Sequence, residues 1–473
     1  MQTDTGIKVA VVGCSHGELD QIYSSILHIQ ERYGITIDLL LCCGDFQAVR
    51  NLEDLNSMSC KPAYRRMNTF YKYYSGEMTA PVLTLFIGGN HEASNHLAEL
   101  YYGGWVAPNI YYMGAAGVLN FAGLRIAGIS GIFKGYDYRK GHFEQRPFSE
   151  GELRSVYHVR EYEVWKMLQI AQPIDIFMSH DWPRGIARYG NTHQLLQWKT
   201  FLRPEVENNT LGSPGSEQLL HTLKPRYWLS GHMHVKFAAI VDHPSSGDAD
   251  RATTKYLALD KVGPRKDFLQ ILHFPEATEP KQLLYDVEWM AIVRSTNHLY
   301  SFSPSTVQLP SRDWSPKRYN YTPTPEELQW VEERLSSCNA GRDVPNNFER
   351  TAPIYSPMND REQRLPLQTQ PQPNPQHTSF LKLLDLPDIF HEPDSLLPQD
   401  SLHNPEEINL DFDEAEEEEQ QQTKEEAHFT NPEEINLEFD EEEEQQTEAA
   451  KSQEVECVAN PEEINLDFDE EET

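Results

Sequence analysis

No stretch of the sequence reaches the roughly 18 consecutive apolar residues that a membrane span requires. The first residues lack the charged-then-apolar pattern of a secretory leader. The six cysteines, Cys14, Cys42, Cys43, Cys60, Cys338 and Cys457, fall without the spacing of a disulfide framework. These absences argue against membrane attachment and against an oxidised extracellular scaffold. The expectation is a soluble, reduced, intracellular chain, in which cysteine is buried filler or a metal ligand. Positive charge is also scarce. Lys and Arg number 40 against 74 Asp and Glu, for a net charge of −34. The imbalance is concentrated: from Ser401 to Thr473, 29 acidic side chains face two lysines. A tail of this sign repels nucleic acid. Any nucleic-acid contact must come from basic patches in the first 400 residues, whose net charge is only −7. No strong basic import cluster is present; Pro316-Lys317-Arg318 is a weak one.

What the first 260 residues do contain is a repeated local device. An apolar run ends in glycine or serine followed by a side chain able to bind a metal. Val9–Val12 runs into Gly13-Cys14-Ser15-His16-Gly17, and a helical apolar pattern follows at Leu19, Ile22, Tyr23, Ile26 and Leu27. Ile35–Cys43 ends in Gly44-Asp45, and Pro81–Ile87 ends in Gly88-Gly89-Asn90-His91-Glu92. Ile174–Met178 ends in Ser179-His180-Asp181-Trp182, and Tyr227–Leu229 in Ser230-Gly231-His232-Met233-His234. Short strands and a hairpin are predicted at 110–113, 118–121 and 124–129, with a helix near 161–169. Strands alternating with helices imply an α/β fold with a largely parallel sheet. In such sheets, ligands bind outside the carboxyl ends of the strands.

One histidine at a strand end is ordinarily a polar cap, and Gly-Asp or Gly-Asn alone is ordinarily a turn. Five strand ends that all carry ligand chemistry are a different observation. Cys14, His16, Asp45, Asn90, His180, His232 and His234 suffice for two divalent ions about 3.5–4 Å apart, the arrangement that clamps the attacking and leaving oxygens of a displacement. Two adjacent dications repel, so a carboxylate must lie between them, and Asp45 is the one suitably placed.

The ordered set of Gly-Cys-Ser-His, Gly-Asp, Gly-Asn-His-Glu, the single His180 and Gly-His-Met-His resembles the calcineurin-like metallophosphoesterase superfamily over residues 7–242. That resemblance implies a metallophosphoesterase fold with central β-sheets flanked by helices. Most of the superfamily carries Asp where this chain has Cys14. This departure is similar to one branch, the RNA lariat debranching enzymes. So are Ser179-His180-Asp181-Trp182-Pro183, Gly190-Asn191 and Thr254–Lys261. The branch hydrolyses the 2′–5′ phosphodiester at the branch point of excised introns.

Carried over by position, the resemblance implies one ion on Cys14, His16, Asp45 and His234, and the other on Asp45, Asn90, His180 and His232. A thiolate favours Fe²⁺ or Zn²⁺, with Mn²⁺ a further option for imidazole and oxygen donors. A second reading leaves Cys14 as packing alone and the enzyme with one metal. His91 is the candidate to protonate the leaving oxygen or to stabilise the phosphoryl oxygens, with Glu92 either orienting it or capping the surface. The resemblance also implies a lariat-recognition insertion at 130–160. There Lys134, Tyr136, Arg139, Lys140, His142 and Arg160 supply cations for phosphates and rings for stacking. The alternative is a solvated surface insertion. The expected organisation is a catalytic domain over 1–242, an extension packed on it over 243–338, and a disordered tail over 339–473. The tail is Pro/Gln-rich and then acidic. It contains an Asn-Pro-Glu-Glu-Ile-Asn-Leu motif three times, from Asn404, Asn431 and Asn460. Such repeats either solubilise the chain or dock protein partners. The nucleus, with the cytoplasm second, is implied by the substrate. A general phosphodiesterase or protein phosphatase remains a competing reading, as does a non-catalytic scaffold. Retention of a ligand at every position weighs against the scaffold.

Overall fold

In the computed structural model, described over residues 6–244, 253–277, 280–313, 318–338, 340–357 and 374–390, the strands assemble into two sheets. They are β1 (Ile7–Val12), β2 (Leu39–Cys42), β3 (Leu83–Phe86), β4 (Gly104–Ala107), β5 (Ile110–Tyr112), β6 (Ala116–Phe121) and β7 (Leu124–Ile129). They continue with β8 (Ile176–Ser179), β9 (Tyr227–Ser230), β10 (Phe237–Asp242), β11 (Thr253–Ala258), β12 (Leu269–Phe274) and β13 (Leu283–Tyr285). One sheet has the order β12-β1-β2-β3-β5-β4 and the other β10-β11-β9-β8-β7-β6-β13. Each has a parallel centre and antiparallel edges.

The alternation of side chains along each strand explains the layering. Val9, Val11, Leu39 and Leu41 of the first sheet share a buried core with Ile176, Met178, Leu229 and Leu257 of the second. Their neighbours Ala10, Val12, Leu40 and Cys42 face outward and are covered by Leu19, Ile22 and Ile26 of the helix Leu19–Tyr33. On the outer face of the second sheet, Phe177, Trp228 and Tyr256 pack under the helices Glu161–Met167, Pro214–Leu223 and Val287–Thr296. Strands buried on both faces need the near-continuous apolar runs seen in the sequence. The α/β expectation with sheets flanked by helices therefore holds. Among the described residues, no helix is long and apolar enough to cross a membrane.

Two domain expectations need correction. A boundary at 242 would cut both sheets: β11 sits between β10 and β9, β12 is the edge strand beside β1, and β13 pairs with β6. The 243–338 segment completes the sheets rather than packing on a finished domain. Nor is the chain unstructured from 339 onward. A ten-residue helix, Pro375–Leu384, starts from an Asn374 cap with proline in its first turn. It buries Phe380, Leu381 and Leu384, and Ile389 is buried beyond it. Gln376 brackets Trp105: its amide oxygen accepts from the Trp105 N–H at 2.7 Å and its NH₂ donates to the Trp105 carbonyl at 2.8 Å. Ahead of this helix, Thr351 donates to Glu99 and accepts from buried Arg50. The chain divides into Met1–Leu397 and Pro398–Thr473. The three acidic repeats lie outside the described residues.

Candidate metal centre

The ligand-bearing loops are held in place because the strand ladders continue past the strand ends. Cys43 N–H donates to Val12, His16 N–H to Asp45 at 2.6 Å, and Gly17 N–H to Phe46, so the loop after β1 stays registered on the loop after β2. Ile87 N–H donates to Cys42 and Gly231 N–H to His180, which does the same for the loops after β3 and β9. The turns are sharp. His16, Asp45, Gln47, His232 and His234 all have positive φ, between 44° and 67°. Non-glycine residues there carry strain of roughly 1–3 kcal/mol each, and such strain gathers at functional sites. Two glycines are required by space: a methyl on Gly89 would lie 2.2 Å from Asp45 Oδ1, and one on Gly44 would lie 2.2 Å from His180 Nδ1.

All seven sequence-predicted ligands converge. Donor atoms of Cys14, His16, Asp45 and His234 lie within 4.8 Å of one another. The two Nε2 atoms of His16 and His234 face each other at 3.2 Å. Asp45 turns Oδ2 to His16 Nε2 at 3.8 Å and Oδ1 to His180 Nε2 at 3.3 Å. His180 Nε2 is also 3.2 Å from Asn90 Oδ1, and the His232 ring lies beside the His180 ring, centroids 4.8 Å apart. One carboxylate thus faces two donor groups.

The surroundings prepare these atoms for cations. Burial drives the imidazoles to their neutral, lone-pair-bearing form: His16 falls to about 4, His232 to about 3, and His180 and His234 are also lowered. The Asp45 carboxyl is held well below the usual carboxylate range. Burial opposes this, but His180, His91 and His16 outweigh it. His180 Nδ1 is 2.8 Å from the Cys43 carbonyl, which fixes the proton there and leaves Nε2 bare. The Gln47 amide reaches His16 Nδ1 at 2.9 Å. That contact is made by the Gln47 amide nitrogen and holds the His16 ring in place. Cys14 is fully buried, and burial together with the Asp45 charge raises its thiol pKa. The His232 N–H, donating to Cys14 Sγ at 3.0 Å, pulls the other way. Lone pairs of two imidazoles, a carboxylate and a sulfur meeting at one point, with no cationic side chain among them, fit a divalent metal. The same holds for the oxygen and imidazole group around Asn90 and His180.

His91 is half-buried beside this centre, its ring 5.6 Å from that of His16 and its N–H donating to Asp45 Oδ1 at 2.8 Å. Glu92 neither orients it nor caps the surface. It is buried, and its carboxylate accepts from the N–H groups of Phe46, Gln47 and Gly89, pinning the β2 and β3 loops together. Glu92 in this role, Gln47, and Trp182, whose indole donates to the Gly231 carbonyl at 2.9 Å, are positioning residues that sequence reasoning missed. Their proximity to the motifs was the signal.

The 130–160 stretch divides. Lys134 is half-buried, Tyr136 is 62 % exposed, and the Arg139 side chain is 68 % exposed. Lys140 pairs with buried Asp137 at 2.9 Å. Arg160 is a correction, and His142 is engaged within the protein. His142 hydrogen-bonds Glu163 and stacks on Tyr300. Arg160 is fully buried, donating to Glu144 and to the Gly141 and Ser155 carbonyls. A guanidinium with no exposed surface holds the loop together rather than facing solvent.

Comparison with known proteins agrees with this geometry. The calcineurin-like phosphoesterase family matches residues 7–236, and the family described as "Lariat debranching enzyme, C-terminal domain" matches residues 251–389. The lariat debranching enzyme of Homo sapiens is 54% identical over 387 residues, covering 81% of this chain and 70% of its own. That of Drosophila melanogaster is 48% identical over 423 residues, covering 81% and 78%. That of Arabidopsis thaliana is 45% identical over 430 residues, covering 88% and 97%.

Proposed function

The chain belongs to the lariat debranching enzymes, within the calcineurin-like phosphoesterases, and from that premise we propose how its strand-end cluster carries out the reaction. The chain is a phosphodiesterase that debranches lariat RNA, opening the 2′–5′ bond and giving a linear product. The observation that carries the mechanism is Asp45 presenting one oxygen to each of two donor groups. Cys14, His16, Asp45 and His234 would hold one divalent ion, and Asp45, Asn90, His180 and His232 the other. When bound, the ions supply Lewis acidity at the phosphoryl oxygens and a water of lowered pKa. The chain's own contribution is to fix those oxygens and to manage the leaving proton. His91, outside both donor groups and open to solvent on one side, gives its imidazole proton to the departing 2′ oxygen. No side chain forms a covalent bond to phosphorus.

Sulfur at Cys14 favours Fe²⁺ or Zn²⁺ on its side, while the Asn90 side also suits Mn²⁺. Metal analysis of protein purified without chelator tests this; a single ion per active chain would refute it. Offering branched RNA, linear RNA and a chromogenic diester together tests the function. Branched RNA should be turned over preferentially, and equal turnover of all three would sink the assignment.

Lys134, Tyr136 and Arg139 are the residues of the 130–160 stretch that we assign to RNA, Lys140 being bound to Asp137. From the substrate we assign the protein to the nucleus first and the cytoplasm second; a tagged chain confined to the cytoplasm would overturn this. The three acidic repeats are assigned to multivalent protein docking, so mutating one copy should weaken partner capture and mutating all three abolish it. Catalysis does not need them: removing residues 391–473 should leave kcat/KM for branched RNA within about twofold. Truncation at 339 should instead lower the melting temperature and the yield of folded protein. It strips out Phe380, Leu381, Leu384 and Ile389, each burial worth roughly 1.5–3 kcal/mol. Equal behaviour of the two truncations would contradict the packing of residues 374–390.

A further inference from the structure

Five strand ends carry metal-binding residues, but two more open on the same rim. β11, β9, β8 and β7 are consecutive and parallel in the second sheet. Their carboxyl ends therefore point the same way. The inner two, β9 and β8, lead into His232, His234 and His180. The outer two each lead into a lysine. Ala258 of β11 pairs with Ser230, and Lys261 follows three residues later. Ile129 of β7 pairs with Ser179, and Lys134 follows five residues later. In this sheet the two metal-binding ends are thus flanked by a lysine on each side.

The loop carrying Lys261 is seated directly on the loop carrying Cys14. Val262 N–H donates to the Cys14 carbonyl at 3.0 Å, and Gly13 N–H donates to Phe268 at 3.2 Å. A methyl group on Gly13 would strike the Asp260 carbonyl at 2.3 Å. Lys261 is half-buried there, and its charge reaches both His16 and His234. On the opposite side the charge of Lys134 reaches His232.

We propose that Lys261 binds a backbone phosphate of branched RNA on the β11 side of the centre, opposite the arm met by Lys134. The inference rests on the debranching reading. A branch nucleotide carries three phosphodiester links, and only the 2′–5′ link is broken. The other two leave the centre as anions. The row of four strand ends has two outer edges, one at β7 and one at β11, and each carries a cation that could take one of them. Contacts to phosphates fix the register of an RNA without reading its sequence. Lys261 therefore sets how the branch is seated, not which bases surround it.

The test is steady-state kinetics of the full, metal-loaded chain on a short branched RNA across a salt series. The variants are Lys261→Gln, Lys261→Arg, Lys134→Gln and the double Gln variant. Loss of one phosphate contact to single-stranded RNA should flatten the slope of log(kcat/KM) against log[salt] by about 0.7. The expected result is that flattening in each single Gln variant, about twice as much in the double variant, and recovery in Lys261→Arg. KM should rise roughly threefold or more at moderate salt, with the change in KM rather than kcat. An unchanged slope in Lys261→Gln overturns the proposal. So does a fall in kcat accompanied by lost metal, which would make Lys261 a support for the Cys14 loop. Failure of the unmodified chain to open branched RNA would instead sink the debranching reading, and this inference with it.

Discussion

Asp45→Asn should cost the chain at least one of its two ions and take turnover to background. The substitution keeps the side-chain shape, so the fold and the His91 N–H contact at 2.8 Å have little reason to change. It removes the negative charge and replaces one acceptor oxygen with an NH₂ donor aimed at an imidazole nitrogen that must stay bare. The electrostatic argument is lopsided. Two unit charges 4 Å apart interact by about 4 kcal/mol at an effective dielectric of 20, so two dications repel by roughly four times that. The histidines are neutral, and Cys14 serves one side only. Asp45 is the anion that both donor groups share. Metal content should fall from two ions per chain to one or none, and turnover by at least about a thousandfold, with the circular dichroism spectrum unchanged. Two retained ions with near-normal turnover would remove Asp45 from the bridging role.

The convergence of the candidate ligands was legible in the sequence because each is announced locally. An apolar strand, a tight turn and a ligand occupy fewer than ten residues. Five such units need only a parallel arrangement to converge, which alternation with helices already implied. The division of donors between two groups came from the family resemblance and not from any single motif. The structure adds which oxygen of Asp45 faces which group, Oδ2 towards His16 and Oδ1 towards His180.

What the sequence concealed is non-local. β12 joins the first sheet by antiparallel pairing with β1 across more than 250 residues, so its own alternation could not say which sheet it completes. The helix Pro375–Leu384 is short and sits in a stretch dominated by Pro and Gln, whose composition suggested no core. Its partner Trp105 is about 270 residues away in sequence. Arg160 was misread for a related reason. A basic residue among aromatics is the composition of an RNA-contacting loop, but whether it points outward depends on a buried acid, and Glu144 supplies one. Lys261 is the converse case. It follows an ordinary strand with no metal ligand at its end, and only the parallel pairing of β11 with β9 brings it to the rim.

His91→Ala should abolish debranching while leaving the metals in place. The loop that carries His91 does not depend on the imidazole. Glu92 ties Gly89 to Phe46 and Gln47, and the His91 backbone N–H binds Asp45 whatever the side chain. Asn90 therefore keeps its place 3.2 Å from His180, and metal content should match the unmodified chain. What disappears is a proton donor beside the centre. Loss of general-acid catalysis costs roughly 10²–10⁴ in rate, so kcat on branched RNA should fall by that factor with KM little changed. The leaving group provides the discriminating measurement. The 2′ alkoxide is strongly basic and needs a proton as it departs; the phenolate of a chromogenic diester does not. The variant should lose far less activity on the chromogenic diester than on branched RNA. Equal losses on both would show that His91 stabilises the phosphoryl oxygens instead, and full turnover of branched RNA would show that it does neither.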